Sequence, residues 1–404
     1  MGLDIPLESI SKLIQGGDIA EGLRQLAEVL RHEKRYTEWF EALKMSARHD
    51  MGLEVWSANT DDQLSVSESR RLEDALVEAC RVVGETMVQD GLIREGWMYL
   101  RPVGDPQRAR ELLLQQPVND DTLDALIEVA IGHGVHPAWG YQLLLDRMGT
   151  CNAITTFDAQ MQAACLVDRQ AAAAALVNQL YEELSSGLQY ALGSQAGSEA
   201  IPEAVVDWLE KYPQLTAEGA YHIDPSHLAS VVRIGRIVDD PAVQEKARQL
   251  CCYGERLDAS LQPESHEPFD PFFQSHRFYY EVLLGQDPTQ KCLAHFRKQR
   301  HQTTQETEEP GYSFGLESQF EATETLVELL VRTGNYKEAK DILLDQLSRS
   351  GQHQTSRWTA MLFDCCRRSG DFQVLEEYGS ANNDPLGYTL ALVYEQMTDS
   401  SPRD

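Results

Sequence analysis

Gly17-Asp18-Ile19-Ala20-Glu21-Gly22 returns near the far end of the chain as Gly334-Asn335-Tyr336-Lys337-Glu338-Ala339, followed by a shorter echo, Gly370-Asp371-Phe372. Each phrase has the parts of a helix-to-helix turn. The glycine closes one helix in the left-handed region, Asp or Asn caps the next, and a small residue four or five places on lets a neighbouring helix approach. A degenerate copy, Asp90-Gly91-Leu92-Ile93-Arg94-Glu95-Gly96-Trp97, has its glycine 74 residues after Gly17, and Gly370 lies 36 after Gly334. Because 74 is twice 37, both intervals fit one helical-pair unit repeated along the chain.

Outward from these phrases the pattern stays helical. Ile10, Leu13 and Ile14, then Leu23, Leu26, Val29 and Leu30, then Trp39, Phe40 and Leu43 each mark one apolar stripe. A polar stretch from Ser57 to Ser69 reads as the first loop, with Ser67 or Ser69 capping the helix through Leu72, Leu76, Ala79 and Val83. The middle of the chain is helical without repeating, and the alanine run 171–175 marks close helix packing. Ser185–Pro202, Gln262–Pro271 and Gln299–Gly315 read as loops. No run of alternating Val, Ile and Thr supports a sheet, so the expected fold class is all-α.

At the C-terminal copy, Leu326, Gly334, Tyr336, Ala339 and Leu343 match tetratricopeptide-repeat positions in type and spacing. That unit resembles a tetratricopeptide repeat, departing from it where Thr323 replaces the usual Trp, Val327 the small residue, Leu330 the Tyr and Gly351 the terminal Pro. The resemblance covers roughly the first hundred residues and 318–395. It implies a right-handed α-solenoid of antiparallel helical pairs with a concave binding face. The expected organisation is N-terminal helical repeats over 1–117, a divergent central helical region over 118–301 and tetratricopeptide-like repeats over 302–404.

The chain has 404 residues with 64 acidic and 35 basic side chains, a formal net charge of −29. Such a field repels phosphate backbones and anionic lipid surfaces, which argues against nucleic-acid and membrane partners. It favours a basic protein or peptide. No segment reaches the length of a spanning helix, and the start Met1-Gly2-Leu3-Asp4-Ile5-Pro6 has neither an export signal nor a myristoylation pattern. The eight cysteines form no Cys-x-x-Cys pair and sit in helical, apolar contexts, as reduced thiols of a cytoplasmic protein do. Gly149-Thr150-Cys151-Asn152 reads as a buried Cys beside an Asn cap.

Phosphate-loop, zinc-protease and nucleophile-elbow signatures are absent. Histidines are the remaining anomaly, with eight of eleven between His133 and His301. His133 and His136 share a Gly/Pro loop, and Tyr221-His222-Ile223-Asp224-Pro225-Ser226-His227 sets two imidazoles and a carboxylate around a turn. His133, His136, His222 and His227 are therefore candidate zinc or iron ligands, and His222, Asp224 and His227 a candidate acid/base group. The competing reading makes Asp224 the N-cap of a helix starting at Pro225. A second cluster, His266, Phe269, Asp270, His276 and Tyr279, reads either as a ligand pocket or as a loop pinning its aromatics to the helices. The expected role is a scaffold or adaptor binding a protein or peptide on a concave face, with no cofactor. The alternative is a metal-dependent or acid/base enzyme with a central His/Asp site, and a third is a small-molecule sensor built on the aromatic loop.

Overall fold

The computed structural model describes residues 7–56, 64–193, 204–306, 314–349 and 352–399. Among them every regular element is helical, as the absence of strand patterning requires. None of the described helices is long and apolar enough to cross a membrane. The chain forms two compact units, Met1–Arg169 and Gln170–Asp404, so the division falls inside the stretch 118–301.

The first unit holds α1 (Leu7–Gln15), α2 (Ile19–His32), α3 (Tyr36–Asp50), α4 (Val66–Gln89), α5 (Ile93–Leu100), α6 (Pro106–Leu114), α7 (Leu123–Ile127) and α8 (Pro137–Ala159), and α9 (Leu166–Leu192) spans the division. Within it α2 packs on α1 and α3, and α4 on α3 and α5. The second unit continues with α10 (Val205–Lys211), α11 (Pro225–Ile234), α12 (Pro241–Gly254), α13 (Phe272–Leu283), α14 (Lys291–Glu306), α15 (Phe314–Arg332), α16 (Tyr336–Arg349), α17 (Gln352–Ser369), α18 (Gln373–Ala381) and α19 (Pro385–Asp399). From α11 onward each helix packs on the next.

The recurring phrase is what joins these neighbours. Gly17, Gly91, Gly334 and Gly370 all have φ between 69° and 90°, a region open to glycine at no steric cost. Behind the first three, two backbone bonds tie off the preceding helix. Asp18 N–H donates to Leu13 O at 3.0 Å, Leu92 to Met87 at 2.9 Å and Asn335 to Leu330 at 2.7 Å, while each glycine N–H reaches the carbonyl three residues back. This is the Schellman arrangement, which satisfies carbonyls that a helix end leaves orphaned. Lys34, at φ 55°, makes the same turn between α2 and α3, with Arg35 N–H on Leu30 O at 2.9 Å.

The small residue of the phrase is also accounted for. A Cβ on Gly22 would lie 2.7 Å from Ile14 Cγ1, one on Gly96 would lie 2.8 Å from the Gly84 carbonyl oxygen, and Ala339 is fully buried. At the α4–α5 crossing the approach is mutual, since a Cβ on Gly84 would meet Gly96 O at 2.9 Å. Successive turns are cross-linked as well: Lys34 pairs with Asp90 at 3.0 Å, and the Tyr36 hydroxyl donates to the same carboxylate.

Several local expectations change. Ser185–Leu192 belongs to α9, because Leu180, Leu184, Leu188 and Leu192 continue one buried stripe and the Ser185 hydroxyl bonds back to Tyr181 O at 2.8 Å. Gly187 is needed there, since the His222 carbonyl oxygen would lie 3.0 Å from its Cβ. Likewise α14 runs on to Glu306 and α15 starts at Phe314, which narrows the loop read at 299–315. The cap of α4 is Ser65, with Glu68 completing a capping box, rather than Ser67 or Ser69. Gly149, at φ 78°, breaks α8 in two, and Cys151 just after it is exposed, not buried, while Asn152 Nδ2 donates across the break to Met148 O at 2.8 Å. The readings at residues 1–6, 57–63, 194–202 and 307–313 and at Gly351 fall outside the described residues.

Replacing Gly96 by Val forces a branched side chain into the α4–α5 contact. The expected cost is about 1–3 kcal/mol, or more if the helices cannot separate. Urea unfolding of the variant, compared with Gly132→Ala at a site with open space around it and no positive φ, measures the difference.

Candidate functional site

The α2 sequence Glu21-x-x-Arg24-x-x-x-Glu28-x-x-Arg31 lines up acids and bases at three- and four-residue spacing on one face. In the structure Arg24 is held by Glu21, with Nε 2.7 Å from Oε2, and Arg31 by Glu28 at 3.1 Å. The Arg24 guanidinium draws the Glu21 carboxyl below its ordinary range. This charged edge borders an open groove of about 590 Å³ whose other walls come from α3 and α4. Its apolar surface is Ala20, Ala27, Trp39, Leu43 and Val82, and its acids are Asp18, Glu21, Glu28 and Asp50.

A packed apolar layer adjoins the groove. Ala27, Leu30, Tyr36, Trp39, Ala42, Val83 and Met87 form one buried cluster beneath it, with Phe40 edge-on to Tyr99 at 5.4 Å. Trp39 is 3% exposed and Val82 40%, so the floor is buried and one rim is open. Sequence reasoning placed Trp39 and Leu43 on an apolar stripe but gave them no site. The usable signal was the ordered run of acids and arginines on α2.

The candidate histidines are placed elsewhere and differently. Asp224 caps α11: its Oδ1 accepts from Ser226 N at 2.8 Å and His227 N at 3.2 Å, and the Ser226 hydroxyl and these amides hold its carboxyl below the usual range. The bond to His227 is to its backbone, not its imidazole. His222 is clamped between a ring-nitrogen contact to Leu215 O and a backbone N–H donated to the Tyr253 hydroxyl, both 2.8 Å. In the other unit His133 lies beside Trp97 and His136 beside Trp139, with ring centroids 6.0 and 6.1 Å apart. Among the described residues no group of three or more His, Cys, Asp or Glu side chains gathers closely enough to hold a metal ion.

The aromatic cluster is brought together, but as packing. The His276 ring stacks on Phe269 at 4.1 Å and sits 4.3 Å from Phe272, and Phe269 meets Phe296 edge-on at 5.8 Å. Phe269, His276 and Tyr279 are 5%, 2% and 0% exposed, whereas His266 and Asp270 are on the surface. The rings of Phe269, Phe272, His276 and Phe296 pack on one another. The Tyr279 hydroxyl donates to Glu328 at 2.7 Å, and Arg332 reaches that hydroxyl at 3.0 Å while also donating to the carbonyls of Arg236 and Val238 at 2.5 and 2.6 Å.

His276 has one further property. Its Nδ1 is 2.8 Å from Phe272 O, and its buried Nε2 has no hydrogen-bond partner. Burial first, then the guanidinium groups of Arg236 and Arg233, push its pKa well below the ordinary 6.5, so it is neutral in the fold. The unfolded chain takes up the proton first, and stability falls as pH drops below about 6.5. His136 and His295 are shifted in the same direction, also mainly by burial. Melting temperatures at pH 7.5 and pH 5.5 should differ, with the lower value at pH 5.5, and His276→Phe should narrow the gap.

The chain has no match among protein-family models, curated proteins or solved structures, so the groove and the helix turns stand on their own geometry.

Proposed function

We propose that the protein is a helical-repeat adaptor that binds a basic, amphipathic segment of a partner protein in the α2–α3–α4 groove. On this reading its helical pairs form a right-handed, tetratricopeptide-like solenoid and it works in the cytoplasm. The observation that carries the reading is the groove's composition: apolar Trp39, Leu43 and Val82 beside Asp50, with the carboxylates of Asp18, which also caps α2, and Glu28, which also pairs with Arg31, at its edge. Apolar side chains of the segment pack on the floor, and its Lys or Arg residues face the acids. Arg24 and Arg31 are already engaged by Glu21 and Glu28, which blunts their repulsion of a basic ligand. The net charge of −29 speeds encounter with a basic partner and disfavours nucleic acid. The acid/base alternative has less support, because the Asp224 carboxylate bonds Ser226 and the His227 amide rather than an imidazole.

The test is fluorescence anisotropy with a labelled Lys/Leu amphipathic peptide and a Glu/Leu peptide of the same pattern. The expected result is binding of the Lys peptide only, weakened by salt and weakened about tenfold, ~1.4 kcal/mol, by Asp50→Lys. Equal binding of both peptides, or of wild type and Asp50→Lys, would remove the groove from the function.

A further inference from the structure

The α2–α3–α4 groove changes character along its length. On α3 its lining residues are Trp39, Leu43, Ser46 and Asp50, spaced four, three and four apart on one face of the helix. That face passes from apolar to hydroxyl to carboxylate over 11 residues, about 16 Å at the helical rise. The helices α2 and α3 pack on each other across a three-residue link, Glu33–Arg35, so they run antiparallel. Asp50, the last residue of α3, therefore lies at the same end as Asp18 and Glu21, at the start of α2. Val82 joins the apolar end. The contact between the Tyr36 hydroxyl and Asp90 sets the register of α4, which brings Val82, eight residues before Asp90, level with Leu43, seven after Tyr36.

The charges divide the same way. At the Asp50 end three carboxylates, those of Asp18, Glu21 and Asp50, stand with one guanidinium, that of Arg24, a net charge of −2. At the other end Glu28 and Arg31 pair at 3.1 Å and cancel. Asp18 accepts the Glu21 amide as a helix cap, a neutral donor that leaves its charge in place. The Asp50 side chain is 71% exposed, with the His49 ring nitrogen 3.6 Å away.

We propose that the groove takes a partner segment whose basic and large apolar residues stand in separate blocks, the basic block over Asp18 and Asp50 and the apolar block over Leu43 and Val82. This rests on the adaptor reading above and narrows its ligand to a segment basic at one end and apolar at the other. Screening decides against an interleaved pattern. At physiological salt an exposed charge reaches about 8 Å, and Asp50 lies seven residues, about 10 Å, from Leu43 along α3. A Lys set among the apolar walls gains little attraction and loses water. A Leu set at the Asp50 end strips water from carboxylates in the same way. A blocked segment avoids both misplacements, since about three extended residues span the 10 Å between its blocks.

Fluorescence anisotropy tests this with labelled peptides of one composition: three Lys, three Ser and three Leu, arranged as blocks in that order, as blocks in reverse order, and with Lys and Leu alternating. The tighter of the two blocked peptides should bind about tenfold more tightly than the alternating one. Asp50→Asn should weaken that peptide and reduce the salt dependence of its binding, whereas Val82→Ser, on a side chain 40% exposed, should weaken it and leave the salt dependence unchanged. Far-UV circular dichroism and urea unfolding check the fold of each variant. An alternating peptide that binds as tightly as both blocked ones, while all three outbind a Glu/Ser/Leu counterpart, overturns the block arrangement and leaves the adaptor reading standing. Equal changes in salt dependence for Asp50→Asn and Val82→Ser overturn it as well. If no Lys peptide binds, both fall together.

Discussion

The left-handed residue that ends a helix is the constraint on which the rest of this structure depends. A helix leaves carbonyls without partners at its C-terminus, and the cheapest way to satisfy them is to fold the next two amides back over them. Doing so reverses the chain within two or three residues and fixes the direction in which the next helix leaves. With the turn fixed, the following helix lies along its predecessor, and the only remaining question is how near the two can come. Gly22 and Gly96 answer it by removing the side chain at the point of contact, and Ala339 by reducing it to a methyl group.

This explains how unevenly the structure could be read from the residues. Gly17, Gly91, Gly334 and Gly370 announce their turns because glycine is the residue that enters the left-handed region freely. Lys34 and Asn383 enter it too, at φ 55° and 52°, and nothing about a lysine signals that. The extension of α9 through Ser185–Leu192 was masked by Ser and Gly, residues that favour loops in isolation, while the deciding term was the burial of Leu184, Leu188 and Leu192. Cys151 was misjudged for a related reason: Gly149 redirects the chain, so the apolar pattern of α8 does not carry across it.

The site was the least legible part. A groove is a property of three helices at once, and the exposure of Val82 above a buried Trp39 depends on how far apart they sit. Residue type pointed instead to histidines, which the structure uses in ordinary ways. Asp224 caps a helix and His276 fills a hole between two phenyl rings. Chemical versatility drew the reading toward side chains whose described contacts are a helix cap, a backbone bond and a ring stack.

Arg332 stands apart from this local logic. Most of the packing joins a helix to its immediate successor, while the Arg332 guanidinium binds carbonyls 94 and 96 residues earlier in the chain. The loop it closes is long, and closing it costs more chain entropy than any single turn. Contacts of such sequence separation are the kind that slow folding. Once made, the Arg332 bond converts a series of neighbour-to-neighbour contacts, which could fray one helix at a time from the end, into a segment whose amides open to hydrogen exchange together.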